Sequence, residues 1–264
     1  MQNMLFGRYI PGNSYIHRLD PRMKLAGTMY FILIIFMANN WITYLLLFLF
    51  TLLAVRLSDL KWSFFFKGVR PLIGLILLTV LLQIFFTAGQ TVYFSFGPLM
   101  LTKEGIINGA YIFVRFLLII FMSTLMTLTT MPLSLTDALE SMLKPLKKIK
   151  VPVHEIALML SIALRFVPTL MDETEKIMNA QRARGTDFGE GSLIQQMKAI
   201  VPLLVPLFIS AFNRAEELAT AMEARGYKGG EGRTKYRQLI WHKQDTWAAT
   251  GLGLVTVALF FLKS

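Results

Sequence analysis

Two arginines in matching surroundings are the residues of this chain best suited to bind a partner. Residues 180–185 and 221–226 share the pattern Ala-x-x-Ala-Arg-Gly and lie 41 residues apart. Arginine is always charged, and its planar guanidinium can form two parallel hydrogen bonds with one carboxylate. Alanine and glycine on either side keep the segment slim enough to enter a groove. The predicted binding residues are Ala183, Arg184, Gly185, Ala224, Arg225 and Gly226.

Each pattern ends a long segment that begins apolar and finishes charged. The sequence predicts one helix from about 153 to 184 and another from about 192 to 225, each roughly 45–50 Å long. Glycine is common just past a helix end, and arginine in the last turn suits the helix dipole. A single copy would therefore be explained as a helix cap. Two copies in equivalent places favour a shared binding role.

The rest of the chain is mostly apolar and predicts an all-α integral membrane protein. Of its 264 residues, 55% are hydrophobic, and the mean hydropathy is +0.54. Membrane-spanning segments are predicted at 25–38, 41–56, 70–88, 104–130 and 247–262. The first two are short for a bilayer that needs about 20 residues, and they meet at Asn39 and Asn40.

Basic residues decide the predicted topology, because lysine and arginine collect on the cytoplasmic side. Residues 1–24 and the loop 56–70 are basic, whereas the loop 89–103 carries Lys103 alone. If residues 25–55 cross twice, both basic segments are cytoplasmic. The sequence therefore predicts a multi-pass membrane protein with its N-terminus inside.

Three regions follow: residues 1–130 with four spans, a cytoplasmic helical region at 131–245, and a last span at 246–264. The cytoplasmic region holds 16 of the 27 basic residues. It predicts three helices, two of them long. Ser134 and Asp137 are capping candidates for the first helix, which is expected to end near Lys147. Two apolar stretches, at 156–170 and 199–212, are about 15 residues long and are predicted to lie against the membrane or a membrane partner rather than to cross.

Composition and motifs argue against chemistry of the chain's own. There is no cysteine, and the three histidines are scattered, so neither a metal nor a cofactor is expected. No phosphate-binding Gly-x-x-x-x-Gly-Lys-Ser/Thr loop occurs, and the glycine-rich residues 229–233 predict a flexible turn. Asp172, Glu173 and Glu175 are expected to form a solvated face or to pair locally with Lys176 and Arg182. The net charge of +11 follows membrane topology, so no nucleic-acid partner is expected.

One charge falls inside a predicted span. Arg115 lies about 11 residues into the fourth segment, roughly 16 Å deep. An intramembrane charge is a candidate for function. We expect Arg115 either to hold the bundle together or to contact a membrane partner; hydrogen bonds to carbonyls at a helix bend, or a place in a wet crevice, are the structural alternatives.

These features resemble the transmembrane T component of energy-coupling factor transporters, which are prokaryotic importers of vitamins and metal ions. The resemblance rests on the two Ala-Arg-Gly helix ends, on residues 20–24 (Asp-Pro-Arg-Met-Lys) and on the late return to the membrane. It implies a non-enzymatic subunit whose Arg184 and Arg225 each dock on one of two related cytoplasmic ATPases. It also implies that the long helices cradle a separate substrate-binding membrane protein, the S component.

Two other classes stay open. A self-contained channel or secondary transporter is disfavoured because no inverted repeat is evident and, apart from Arg115, the predicted spans carry no charged midplane site. A transferase acting on lipid phosphate would use the basic residues 144–150, which contact with anionic headgroups in the bilayer explains more simply.

Overall fold

The computed structural model describes residues 9–89, 91–96, 99–186, 188, 193–229 and 238–262. The described chain is almost entirely helical, as the sequence predicts, with one small β-hairpin. The helices are α1 (Tyr15–Arg18), α2 (Pro21–Ile35), α3 (Trp41–Leu57), α4 (Trp62–Val69), α5 (Ile73–Phe86), α6 (Lys103–Thr129), α7 (Pro132–Leu143), α8 (Val153–Ala183), α9 (Leu193–Ala224) and α10 (Lys243–Leu262), with 3₁₀ turns at Arg70–Leu72 and Lys144–Ile149 and strands β1 (Val92–Phe96) and β2 (Leu99–Thr102).

The chain divides into two compact units. The bundle unit comprises Met1–Ala138 and Leu239–Ser264, and the arm unit comprises Leu139–Gln238. The chain passes from the first unit to the second within α7. The first turns of α7 therefore belong to the bundle unit, and the division predicted at residue 130 stays a prediction.

Helix α6 is the centre of the bundle unit and packs against α2, α3, α4 and α5. The core side chains are large and apolar, and Phe31, Leu47 and Leu118 are fully buried between these helices. Helix α10 packs against α2 and α3 and contributes the buried Leu259. Dispersion and close packing, rather than a hydrophobic driving force, hold such apolar helices together in lipid.

Helices α2 and α3 are two separate elements that run in opposite directions. The rings of Phe31 and Phe50 stack with centroids 5.9 Å apart, while Gly27, one turn earlier in α2, shares a cavity lining with Ala54, one turn later in α3. As residue numbers fall along α2, they rise along the facing α3. Two antiparallel helices are what two crossings at 25–55 require; the crossings themselves stay a prediction.

The segment after α5 forms a small β-hairpin that the sequence analysis does not predict, within a fold that is otherwise helical as expected. Strands β1 and β2 pair antiparallel, with Val92 opposite Thr102 and Phe96 opposite Leu99. Valine, tyrosine and phenylalanine favour extended backbone, which explains the strand. Thr102 then ends the hairpin and caps α6, its hydroxyl accepting a hydrogen bond of 3.0 Å from the Gly105 amide.

The arm unit contains the two long helices close to the predicted boundaries, since α8 runs Val153–Ala183 and α9 runs Leu193–Ala224. The first predicted helix is shorter than expected: α7 ends at Leu143 and continues as the 3₁₀ turn to Ile149. It also begins at Pro132, so Ser134 and Asp137 lie inside it and are not its caps. Residue 192, where the second long helix is predicted to begin, and most of the glycine-rich residues 229–233 lie outside the described residues.

Five helical stretches of the described chain are long and apolar enough to cross a bilayer. They are Trp62–Phe86, Lys103–Thr129, Val153–Ala183, Ala199–Ala224 and Lys243–Leu262. The number agrees with the predicted five spans, but the members differ, because α2 and α3 have only 15 and 17 residues. Length alone therefore does not separate α8 and α9 from crossing helices, contrary to the sequence argument from 15-residue stretches.

Helices α8 and α9 leave their apolar faces uncovered within the chain. In the most apolar stretch of 18 residues, only 11% is buried in α8 and only 6% in α9. Uncovered apolar area of this extent indicates contact with lipid or with another protein.

Candidate partner-docking site

Both Ala-Arg-Gly segments form the same helix-ending structure. At the end of α8, the Gly185 amide donates to the carbonyl of Arg182 (2.9 Å) and the Thr186 amide to that of Gln181 (3.0 Å). At the end of α9, the Gly226 amide donates to Glu223 (2.8 Å) and the Tyr227 amide to Met222 (3.0 Å). These paired bonds define the Schellman motif. We call residues 183–185 the α8 tip and residues 224–226 the α9 tip.

The glycines are explained by this cap. Gly185 has φ +85° and Gly226 has φ +76°, and an added Cβ at either position would meet nothing within 4 Å. The requirement for glycine is therefore the left-handed backbone rather than space.

The arginines are not explained by the cap, since their main chains make the bonds and their side chains project outward. Arg184 and Arg225 are both exposed. Within the described parts of the chain, neither guanidinium forms an ion pair or side-chain hydrogen bond. Each tip thus combines a rigid backbone with an available bidentate donor, which can bind a carboxylate of another protein.

The helices α8 and α9 run antiparallel, so the two tips lie apart. Glu173 of α8 contacts Arg214 of α9, with Glu173 Oε2 and Arg214 Nη2 3.0 Å apart. Earlier in α8, Ile162 and Phe166 line one cavity with Leu218 and Met222, which come later in α9. Going backwards along α8 therefore means going forwards along α9.

The spacing of the tips follows from residue counts. Arg184 lies 11 residues beyond Glu173, and Arg225 lies 11 residues beyond Arg214, with no proline in either stretch. At 1.5 Å per residue, each arginine is about 16 Å from the ion pair, in opposite directions. The tips are not brought together into one site; they form two sites separated by up to about 33 Å.

A groove lined by basic and apolar side chains adjoins the α9 tip. It has a volume of about 570 Å³ and separates the tip from the first half of α8. Three of the residues that line this groove are basic: Arg165, Arg225 and Lys228. Phe166 and Met222 supply apolar walls.

The acidic residues of α8 were expected to be a solvated face or partners of nearby cations, and for Glu173 this is wrong. Glu173 bonds instead to Arg214 of the other long helix, 41 residues away. A hydrogen bond from Ser210, together with the charge of Arg214, lowers the pKa of the Glu173 carboxyl. The sequence feature that could have predicted this pair is the opposite charge of Glu173 and Arg214 at equivalent positions of the two copies, 41 residues apart.

Arg115 belongs to the bundle unit and contacts an aromatic cluster. Its Nε and Nη2 atoms lie 3.1 and 2.6 Å from the hydroxyl of Tyr44 on α3. The guanidinium carbon is 5.1 Å from the centre of the Phe36 ring, within range of a cation–π contact. Tyr44 in turn stacks on Tyr111 of α6 at 4.8 Å. Within the described chain, no carboxylate forms an ion pair with Arg115.

Removing the Tyr44 hydroxyl should destabilise the bundle unit. In Tyr44→Phe the guanidinium loses its hydrogen-bond acceptor, and a bond to a charged group contributes about 1.5–3 kcal/mol. Thermal unfolding of the detergent-purified protein would measure the loss. Tyr111→Phe is the matched control, because it removes a hydroxyl from the stacked ring without touching Arg115. If Arg115→Leu left stability, subunit assembly and transport at parent values, Arg115 would have no role in the bundle or its contacts.

A buried polar cluster joins the N-terminal segment to the start of α10, and sequence reasoning missed its central residue. Asp245 is fully buried, and its carboxylate accepts hydrogen bonds of 2.7 Å from the amides of Asp20 and His242. Asp20 caps α2 and pairs with Arg22 at 3.0 Å, while the Lys24 ammonium donates to the carbonyl of Thr129 at 2.8 Å. The Asp-Pro-Arg-Met-Lys segment thus anchors the ends of α2, α6 and α10. Helix α10 begins at Lys243, four residues before the predicted span, and its first turn therefore includes Asp245.

Comparison with known proteins agrees with this architecture. A family model described as cobalt transport protein (CbiQ) matches residues 12–236. The chain is also 64% identical over 264 residues to the energy-coupling factor transporter transmembrane protein EcfT of Lacticaseibacillus paracasei, with 100% of both chains covered. The chain belongs to this transporter family. The EcfT protein of Streptococcus equi is 60% identical over 100% of this chain and 98% of its own, and that of Bacillus subtilis is 53% identical over 100% of both.

Membership of the energy-coupling factor family settles the broad class. The chain is a bacterial multi-pass membrane protein and a transmembrane component of an energy-coupling factor transporter. The apolar helices described above are consistent with that class.

Proposed function

We propose that this chain is the non-enzymatic coupling subunit of an ATP-driven importer of vitamins or other micronutrients. Arg184 and Arg225 each dock on one of two related cytoplasmic ATPases, and the apolar halves of α8 and α9 contact a membrane S component. The observation that carries this proposal is the pair of identical helix tips. Both present an exposed arginine, at equal distance and in opposite directions from the contact between α8 and α9.

Two matching tips suit a partner that is a dimer of similar subunits. Two similar ATPases that associate face to face offer two equivalent grooves, which an approximate two-fold axis relates. An antiparallel helix pair with matching ends has the same kind of symmetry. Binding at both ends also raises the effective concentration of the second contact once the first has formed.

Stiff helices can pass motion from the ATPases to the membrane. The stretches 173–184 and 214–225 contain no proline, so each arm moves as one rigid element beyond the ion pair. A change in separation of the two ATPase grooves would turn α8 against α9 and so tilt whatever rests on their apolar halves. This is rigid-body motion of packed elements, one of the common forms of conformational switching. ATP hydrolysis belongs to the partners, since the sequence contains no phosphate-binding loop.

The same reading assigns the arm unit and the N-terminus to the cytoplasm. If the first half of α8 crossed the bilayer, the charged residues near its end would face outward, against the usual distribution of lysine and arginine. We therefore propose that α8 and α9, although long enough to cross, lie at the inner surface of the cell membrane with their tips in water.

Purification from native membranes tests this function against that of a carrier acting alone. The tagged chain is expected to bring two ATPases and a small hydrophobic membrane protein with it, and the reconstituted complex to transport only with ATP. A second candidate, a secondary transporter, draws on the charge of Arg115 inside α6. Transport by the purified chain alone in proteoliposomes would support that candidate and contradict the coupling function.

A further inference from the structure

We propose that the ion pair between Glu173 and Arg214 is the pivot of the two arms: it fixes the register at which α8 and α9 cross and thereby holds both docking arginines at the same distance from the crossing. This inference rests on the proposed coupling function. Glu173 and Arg214 are positioning residues in it, and neither touches the ATPases.

The geometry of the pair is that of a partly shielded contact. Arg214 Nη2 lies 3.0 Å from Glu173 Oε2, and the Arg214 and Glu173 side chains are 33% and 24% exposed. Ser210, one turn before Arg214 on α9, and the charge of Arg214 both lower the pKa of the Glu173 carboxyl. Among the described residues, this is the one ion pair that joins the two helices.

The position of the pair within the repeat is the main argument. Glu173 and Arg214 are separated by 41 residues, which is also the separation of the two Ala-x-x-Ala-Arg-Gly copies. Each residue therefore occupies the same place in its own copy. An antiparallel pair that touches at equivalent positions has its contact at the centre of symmetry. A slip of one helix along the other would make the two arms unequal and would change the separation of the tips by about 1.5 Å per residue.

Apolar packing alone would not prevent such a slip. Near the pair, the facing surfaces of α8 and α9 carry apolar side chains such as Ile162, Phe166 and Met222, and hydrophobic attraction has no direction. A charged, hydrogen-bonded pair is directional, and polar pairs inside helical interfaces are known to specify register. A slip of one residue would move Arg214 by about 1.5 Å and turn it about 100° away from Glu173.

The distance between the tips tests the pivot directly. Because the chain has no cysteine, Ala180→Cys and Ala221→Cys place one spin label on each arm, at matching exposed positions. Pulsed electron–electron double resonance on the full chain in lipid nanodiscs, without ATPases, would then give the distribution of distances between the two labels. We expect one narrow peak for the parent. Glu173→Gln and Arg214→Gln should weaken the preference for that peak about fivefold, the effect of losing a modest ion pair.

Charge exchange and a neighbouring control separate the pivot from general destabilisation. The double variant Glu173→Arg with Arg214→Glu should restore the narrow peak, because the pair is re-formed with its charges reversed. Glu175→Gln removes the same charge from an exposed position two residues away and should leave the distribution unchanged. If the single variants do not fold, the exchange variant decides: a folded protein with the parent peak supports the pivot, and failure to fold overturns it.

Transport by the complete complex gives the second measurement. ATP-driven uptake should fall about fivefold in each single variant, recover with charge exchange, and stay at the parent value in Glu175→Gln. The inference is overturned if Glu173→Gln matches Glu175→Gln in the distance distribution, or if the distribution broadens while uptake is unaffected. Neither outcome bears on the proposed function, which fails if the purified chain transports alone or if loss of Arg184 and Arg225 leaves assembly and uptake intact.

Discussion

Replacing Arg184 and Arg225 together with alanine is expected to release the ATPases from the membrane complex and to abolish ATP-driven uptake. Each guanidinium is exposed and unpaired within the described chain, so each is available for a carboxylate in a partner groove. Truncating one member of a buried, hydrogen-bonded charge pair costs about 2–5 kcal/mol of binding free energy. Loss of both should therefore lower uptake by at least about a hundredfold. Co-purification of the ATPases and uptake in proteoliposomes are the measurements.

Single substitutions and lysine variants give the physical basis of the effect. Because the two contacts act together, either single alanine variant should retain some bound ATPase. The double variant should retain much less than is expected if the two sites bound independently. Arg184→Lys and Arg225→Lys keep the charge but remove the planar fork, so they should be intermediate. Two exposed lysines of the 3₁₀ turn, Lys147 and Lys148, offer a control in which alanine removes the same total charge.

Glutamate at both tips should be worse than alanine, because it would place a carboxylate against the carboxylates that the arginines are proposed to meet. Parent-like assembly and uptake in the double alanine variant, with the protein folded, would reduce the two motifs to helix caps. The Schellman bonds described above would then be their whole purpose.

Local features of the structure were predictable because they depend on local patterns. The ends of α8 and α9 differ from the predicted ends by one residue, since Gly185 and Gly226 stop each helix through their own backbone preference. Helix α6 was predicted equally well, because a long apolar run flanked by polar residues has few other structures open to it. Membrane topology could be argued only from charge, and it stays a prediction.

Features that depend on contacts between distant residues were missed. The pairing of Glu173 with Arg214 requires knowing that α8 and α9 are antiparallel, which no local pattern states. The burial of Asp245 depends on the N-terminal segment, more than 200 residues away. The β-hairpin is a different case, because the charge pattern that marks residues 89–103 as a loop says nothing of the strand preference of Val92 and Tyr93.

A single charge introduced on the apolar face of α9 is expected to reduce transport. Phe208 and Phe212 are 67% and 65% exposed, and their rings lie 5.2 Å apart. Positions four apart lie on one helix face, so the two rings form a continuous apolar surface. If this surface binds the S component, Phe208→Asp would bury a carboxylate without a partner, which costs several kcal/mol. Uptake is then expected to fall by at least about tenfold while the ATPases remain bound.

This result would separate the two functions assigned to the arms. The tip variants should lose ATPases and the face variant should lose only the S component, because the two surfaces lie in different parts of the helix. Asn213→Asp is the matched control: it adds the same charge next to Phe212, at an exposed polar position. A photoreactive residue in place of Phe208 would identify the neighbour directly. Capture of lipid alone, together with normal uptake in Phe208→Asp, would contradict a protein-binding face and leave α9 as a helix that rests on the membrane.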